Sequence, residues 1–495
     1  MKTTVPAGCR LRAAFALVAA ALSALELSAQ DARAVIDAAA KAMGTTSLQA
    51  IQYTGTGAIH PTGQAAVTGG PWPRFTVTKY VMSVNYTAPA MRQEVVRVDD
   101  MRPPRGGGAG GYNPATGQGG IRPIPGDVIQ NLDINGRTEA GAVNVWLTPH
   151  GFLKGAAANA ATAKLSTSRG KKMVSFTAFN KYTVTGTINE QNLVERVDTL
   201  LDVAFTGDTP FEGLYSDYRD FGGVKFPGRV VIRQGGHPIL DITVADVRPN
   251  SAAALEVGGN PARGGGPPAP PAPAAAIRIQ PDTIGKGVTF LTFGSPQSIL
   301  VEFNDHVVII EGPASDDRTA ATVAHVRQTL PNKPIKYLVN THHHADHSGG
   351  IRAYVAEGIP IVTHESHKRY YEQEIFKAPH TINPDRLARN PRAPVIETVN
   401  DKRVLTDGTM TVELHLMRGN LHAEGLLMVY IPSEKLLIQA DAFAPRPGAA
   451  PLPSPSPYTV NLVENVERLK LDVQRVAHVH GGVDDYATVR KAAGK

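Results

Sequence analysis

At 495 residues the chain exceeds one ordinary hydrophobic core, so two domains are expected. Fifty Lys and Arg against 44 Asp and Glu leave a net charge of only +6. With no long basic run and no aromatic-interleaved patch, that balance excludes a nucleic-acid partner. The single cysteine, Cys9, excludes a disulfide framework and a thiolate-rich metal site.

The first 29 residues read as a secretory signal peptide. Lys2, Arg10 and Arg12 precede an almost wholly apolar run from Ala13 to Leu25, and the small residues Ser28 and Ala29 follow. The run is too short to span about 30 Å of hydrocarbon, and Glu26 ends it. Cys9 would leave with the signal. The expected destination is the periplasm or the extracellular space, with no transmembrane helix in the mature chain.

Residues 30–257 form the next unit. A helix is predicted from Ala32 to Met43, apolar at Val35, Ile36 and Ala39. Alternating segments then read as strands: Phe75 to Met82, Lys181 to Ile188, and Val230 to Arg233. The glycine-dense stretch from Arg105 to Gly120 reads as a mobile loop. His60, His150 and His237 are isolated, so the unit is expected to dock, present substrate or stabilise. From 258 to 276 a Pro/Ala/Gly tract, with Gly264-Gly265-Gly266 and Pro267-Pro268, reads as a semi-extended linker.

Residues 277–495 carry the chemistry. Lys336 to Asn340 reads as a short buried strand, and Ser348-Gly349-Gly350-Ile351 opens an amphipathic helix with Ile351, Tyr354 and Val355 on its apolar side. Between them stands His342-His343-His344-Ala345-Asp346-His347. Residues two apart in extended chain point the same way, so His342 and His344 can grip one ion, while Asp346 and His347 at the turn can face a second. Imidazole and carboxylate hold zinc at about 2.0–2.2 Å and can leave a position for water. Three further candidates follow at strand ends, where loops converge on an α/β scaffold: His422 before Leu426 to Ile431, Asp441 after Lys435 to Ala440, and His480 after Val476 to Val479. An insertion between Ile359–His364 and Arg403–Leu405 holds Tyr370, Tyr371, Phe376 and His380. It is expected either to form a lid, with Tyr371 and His380 touching substrate, or to pack a helix onto the domain.

This ordered set resembles the metallo-β-lactamase superfamily, whose fold is an αββα sandwich. The resemblance implies an α/β C-terminal domain preceded by a mainly antiparallel β domain. It implies a first metal held by His342, His344 and His422, and a second held by Asp346, His347 and His480, with Asp441 bridging. His343 would point away, and His478 would be a strand residue. Two divalent ions are implied, zinc first, with iron or manganese also compatible with a His/Asp site. A metal-bound hydroxide would attack a small ester, thioester, lactone, lactam or phosphoester, with Asp346 and Asp441 shuttling the proton. Two features depart from parts of that family. Asp441 stands where true β-lactamases of the superfamily usually place Cys or Ser, and Glu311-Gly312-Pro313 replaces an Asp-Thr-Gly-like turn. The N-terminal unit faintly resembles the half-barrel of periplasmic lipoprotein carriers, through Tyr215 to Pro227. Two other functions fit the same residues: a mononuclear iron oxidoreductase like the persulfide dioxygenases, and a non-catalytic carrier of an apolar ligand. Oligomeric state is left open.

Overall fold

The computed structural model describes residues 31–98, 105–107, 129–135, 138–258, 277–444 and 455–495. The proposed signal peptide, nearly all of the linker and most of the glycine-dense loop lie outside the described residues. Among the described residues, no helix is long and apolar enough to cross a membrane.

The N-terminal domain is built on one large antiparallel sheet of eleven strands. Its centre pairs Ala50–Ile59 with both Phe75–Asn85 and His237–Pro249. The strands expected from alternation appear as Phe75–Asn85, Tyr182–Ile188 and Arg229–Gln234. One face carries Tyr80, Val84, Phe176 and Val184, each fully or nearly fully buried. Helix 31–43 and the helices Glu139–Trp146 and Pro149–Ala158 cover this face through residues such as Ile36, Val143 and Phe152. The strands bend around those helices because a twisted sheet must bury its apolar face against something.

The C-terminal domain is an αββα sandwich. A seven-stranded sheet runs from Gln280–Gly285 to Ile396–Val399, and a six-stranded sheet from Lys402–Thr406 to Val483–Asp485. Side chains of both sheets interdigitate in one layer, including Val308, Ile310 and Val339 from the first and Val412, Val429 and Ile438 from the second. The intervening residues point the other way. Val307 and Ile309 meet the helices Asp316–Thr329 and Ile351–Ala356. Met428, Tyr430 and Leu437 meet Pro457–Arg468. Strands buried on both faces need no polar alternation, which is why Val307–Ile310 is an unbroken apolar run.

One helix differs from the sequence reading. The segment after the histidine motif forms two short helices, Ala345–Ser348 and Ile351–Ala356, and all six residues of the second are buried. It is wedged between other elements, so it has no solvent face. Arg352 can be buried there because its guanidinium donates to the Ile375 carbonyl at 2.6 Å and pairs with Asp385.

The insertion packs a helix onto the C-terminal domain, the second of the two expectations, through Tyr371, Ile375 and Phe376, and it also joins the two domains. Asp208 of the N-terminal sheet accepts from Thr381 N (2.8 Å), Thr381 Oγ1 (2.5 Å) and Ile382 N (3.1 Å). Ile382 packs against the N-terminal core, and Phe205 of the N-terminal domain packs into the C-terminal one. Replacing Asp208 by Ala should therefore lower stability by about 1–3 kcal/mol, since three donors lose one charged acceptor. A lower thermal midpoint and faster limited proteolysis within 365–395 are expected. An unchanged midpoint would mean the junction does not hold the domains together.

Candidate metal centre

The strand Ile335–Val339 ends at the sandwich edge, and the motif follows as a buried loop and a single helical turn. Local hydrogen bonds fix its path. Asn340 Nδ2 donates to the His347 carbonyl at 3.0 Å, and Ser348 Oγ donates to the His344 carbonyl at 2.8 Å. Gly349 is required by close approach, because a Cβ there would sit 2.3 Å from the Ala314 carbonyl oxygen. Across the site, Asn420 Oδ1 accepts from the backbone of His422 and Ala423 and turns that loop inward. Asp441 follows the strand Leu436–Gln439 with φ 63°, and Glu311 has φ 72°. Left-handed backbone at non-glycine residues costs about 1–3 kcal/mol each and clusters where function demands geometry.

The seven side chains predicted as ligands come together. His342, His344 and His422 offer nitrogens within 4.8 Å of one another, and Asp346, His347, Asp441 and His480 do the same. Asp441 lies between the sets. Its Oδ2 is 2.7 Å from His347 Nε2, 3.5 Å from His342 Nε2 and 3.6 Å from His422 Nε2, while Oδ1 is 3.1 Å from His480 Nε2.

A metal pair fits these residues on the chemistry of their unpaired atoms. His422 Nε2 and His342 Nε2 are 3.2 Å apart, and His347 Nε2 and His480 Nε2 are 3.0 Å apart. Two ligands of one tetrahedral ion at 2.0–2.1 Å are about 3.3 Å apart, so these spacings suit shared coordination. His344 Nδ1 and Asp441 Oδ2 are buried without a hydrogen-bond partner. Four of the imidazoles are held by the other ring nitrogen. His342 Nδ1 meets Thr341 Oγ1 (3.0 Å), His347 Nδ1 meets Glu311 Oε2 (3.3 Å), His480 Nδ1 meets Ser295 Oγ (2.8 Å), and His344 Nε2 meets the Ala65 carbonyl (2.8 Å). Such partners set ring orientation and tautomer in metal sites.

Electrostatics agree. Burial pushes His344 down to about 3 and His422 down to about 4, and it also pushes His342 well below its ordinary value. These rings are neutral at pH 7, as ligands must be. Around the second set the balance reverses. Burial disfavours a charged His347, yet Asp441, Asp346 and Glu311 outweigh it and hold its pKa well above the ordinary range. Three carboxylates facing one imidazole mark a place that calls for positive charge.

The remaining predicted residues lie elsewhere. Tyr371 is fully buried behind the motif, where its hydroxyl donates to Asn340 Oδ1 and reaches the His342 carbonyl at 3.2 Å. His380 is buried at the domain junction, 3.3 Å from Asp202 and 3.8 Å from Asp385. Neither is brought to the ligand cluster. His343 turns away, with Nε2 on the Ala65 carbonyl at 2.9 Å, and His478 pairs with Gln439 and Asp484. Glu311 is fully buried and accepts from Thr341 and Asn340 as well as facing His347, so its extra methylene still reaches the site.

Sequence reasoning missed the N-terminal contribution. Gln64, Ala65 and Gly107 all touch the motif. Arg105–Gly107, read as the start of a mobile loop, is packed there, with Gly106 N donating to the Leu421 carbonyl at 2.8 Å. No spacing signal links these positions to His344.

One protein-family model matches the C-terminal part of the chain. The model of the Metallo-beta-lactamase superfamily matches residues 291–480. The C-terminal domain has the metallo-β-lactamase fold. Among solved structures, a metallo-beta-lactamase from Pontibacter korlensis is similar at 18% identity and TM-score 0.33, covering 44% of this chain and 98% of its own. One from Hirschia baltica is similar at 21% identity and TM-score 0.33, covering 44% and 97%. FIM-1 from Pseudomonas aeruginosa, in its mono-zinc form, is similar at 16% identity and TM-score 0.33, covering 44% and 94%. No curated protein matches the sequence.

Tyr371 gives a direct test of its buried role. Tyr371→Phe removes a hydroxyl from two buried acceptors and should cost about 1–3 kcal/mol, read as a lower unfolding midpoint. Relative rates across a substrate panel should stay as in the wild type. A changed substrate preference with unchanged stability would return Tyr371 to the substrate site.

Proposed function

We propose that the protein is a metal-dependent hydrolase of small molecules, exported to the periplasm or beyond, that acts on an ester, thioester, lactone, lactam or phosphoester. The observation that carries this reading is the pair of ligand sets, each within 4.8 Å, with Asp441 between them. His342, His344 and His422 would hold one divalent ion, and Asp346, His347 and His480 the other, with Asp441 facing both. When bound, such ions supply an activated water near neutral pH and polarise the oxygen under attack. Zinc is the first expectation from a donor set of imidazole and carboxylate alone.

The chain's own residues do the rest. Glu311 and Ser295 orient His347 and His480 by their outer nitrogens. Asp346 and Asp441 are the carboxylates able to take and pass on the proton released in hydrolysis. Asp441 is the better placed for exchange with solvent, since its side chain is 18% exposed while that of Asp346 is 5% exposed. An Asp at 441, in place of the Cys or Ser of true β-lactamases, favours a substrate other than a dedicated antibiotic. Export rests on the charged and apolar pattern of residues 2–29.

His344→Ala and Asp346→Ala should each remove hydrolysis while circular dichroism stays that of the wild type. Elemental analysis of the purified wild type should find about two zinc ions per chain, because each ligand set is complete. Hydrolysis retained in either variant would refute the site. A single iron per chain with oxygen consumption would replace the reading by an oxidoreductase.

A further inference from the structure

The turn that joins the N-terminal strands Ala50–Ile59 and Phe75–Asn85 reaches the metal centre. Gln64 is 2% exposed and Ala65 is 4% exposed, both against the C-terminal domain. Gln64 Nε2 donates to Asp346 Oδ1 at 2.7 Å. The other oxygen, Oδ2, is the one near His347 Nε2 (3.5 Å) and His480 Nε2 (3.6 Å). The Ala65 carbonyl accepts from His344 Nε2, as it does from His343 Nε2, and so leaves a lone pair on His344 Nδ1, which is buried without a hydrogen-bond partner. Two of the seven ligands are thus oriented by the other domain.

The turn is held where it must be for this. Ala345 N donates to the Gly63 carbonyl (3.3 Å), Gly107 N to the Gln64 carbonyl (3.0 Å), and Glu424 N to the Ala66 carbonyl (2.7 Å). Gly63 has φ +67°, and a Cβ there would come 2.6 Å from the Ala345 Cβ. A buried amide or carbonyl without a partner costs about 1–3 kcal/mol, so the turn and the ligand cluster satisfy each other.

We propose that the N-terminal domain is a working part of the metal centre, with Gln64 as the positioning residue for Asp346 and the Ala65 carbonyl selecting the tautomer of His344. The inference rests on the metal reading above. It assigns the N-terminal domain a role that a docking or stabilising module would not have.

The test is zinc affinity of the full chain by competition with a chromophoric chelator, for wild type, Gln64→Ala and Gln64→Met. Met keeps the volume and flexibility of Gln but loses the donor, so it separates hydrogen bonding from packing. Loss of an outer partner typically weakens metal binding about 10–100-fold. Both variants should lose about that much for one of the two ions. Cobalt(II) loaded in place of zinc should show an altered visible spectrum in both. Affinity and spectrum equal to the wild type in both variants would overturn the proposal, and so would a loss confined to Gln64→Ala. If Gln64→Ala fails to fold, Gln64→Met decides. A wild type that binds no zinc would overturn the metal reading and this proposal together. A wild type that binds two, with unaffected variants, would overturn this proposal alone.

Discussion

Five imidazoles and two carboxylates converge here in a space almost closed to water, and nothing about hydrophobic folding favours that. Each buried nitrogen or oxygen without a partner costs free energy, and the neutral rings cannot satisfy each other through facing lone pairs. His422 and His342, both kept neutral by burial, bring their Nε2 atoms to 3.2 Å, and His347 Nε2 stands 3.0 Å from His480 Nε2. The arrangement becomes favourable when a cation fills the space the lone pairs define. Until then the cluster is held on its outer side by hydrogen bonds to Thr341, Ser295 and the Ala65 carbonyl, and by the Glu311 carboxylate 3.3 Å from His347 Nδ1. These outer bonds are the constraint on which the rest of the site depends.

The same requirement explains how the domains meet. Three of those four partners come from the αββα sandwich, at the ends of its strands. The fourth comes from a turn of the antiparallel sheet, and that turn can stay in place only if the sheet itself is fixed. Asp208, Phe205 and the insertion around Thr381 and Ile382 fix it. A junction made only of a linker would let the Ala65 carbonyl leave His344, and the ring would then be free to flip to the other tautomer. The insertion therefore bears on the ligand cluster by bracing the sheet.

Much of this was legible in the residues, and the limits have physical causes. The ligand set could be read because metal ligands are chemically unusual and fall at strand ends, so Asp441 and His480 stood out by type and place. The buried strands could be read as apolar runs. Ile351–Ala356 misled because a helix packed on all sides has the same local pattern as one with a wet face. Tyr371 stayed open between two readings for a related reason: an aromatic in a polar insertion can cover a substrate or a core, and the position of Asn340 puts it in the core. Gln64 and Ala65 carried no signal at all. One acts through a common amide and the other through its backbone, and both act some 280 residues away from their partners.

Burial is unequal across the cluster. His342 and His344 are fully buried and His422 is 4% exposed. Gly107 lies over His344, so close that a Cβ would be 2.8 Å from Nδ1. The Asp441 and His480 side chains keep 18% and 7% of their surface open. Of the two ligand sets the second is thus the more open, and Asp441 is its most exposed member. The identity of residue 441 then matters twice, as a group facing both ligand sets and as the most exposed charge of the cluster.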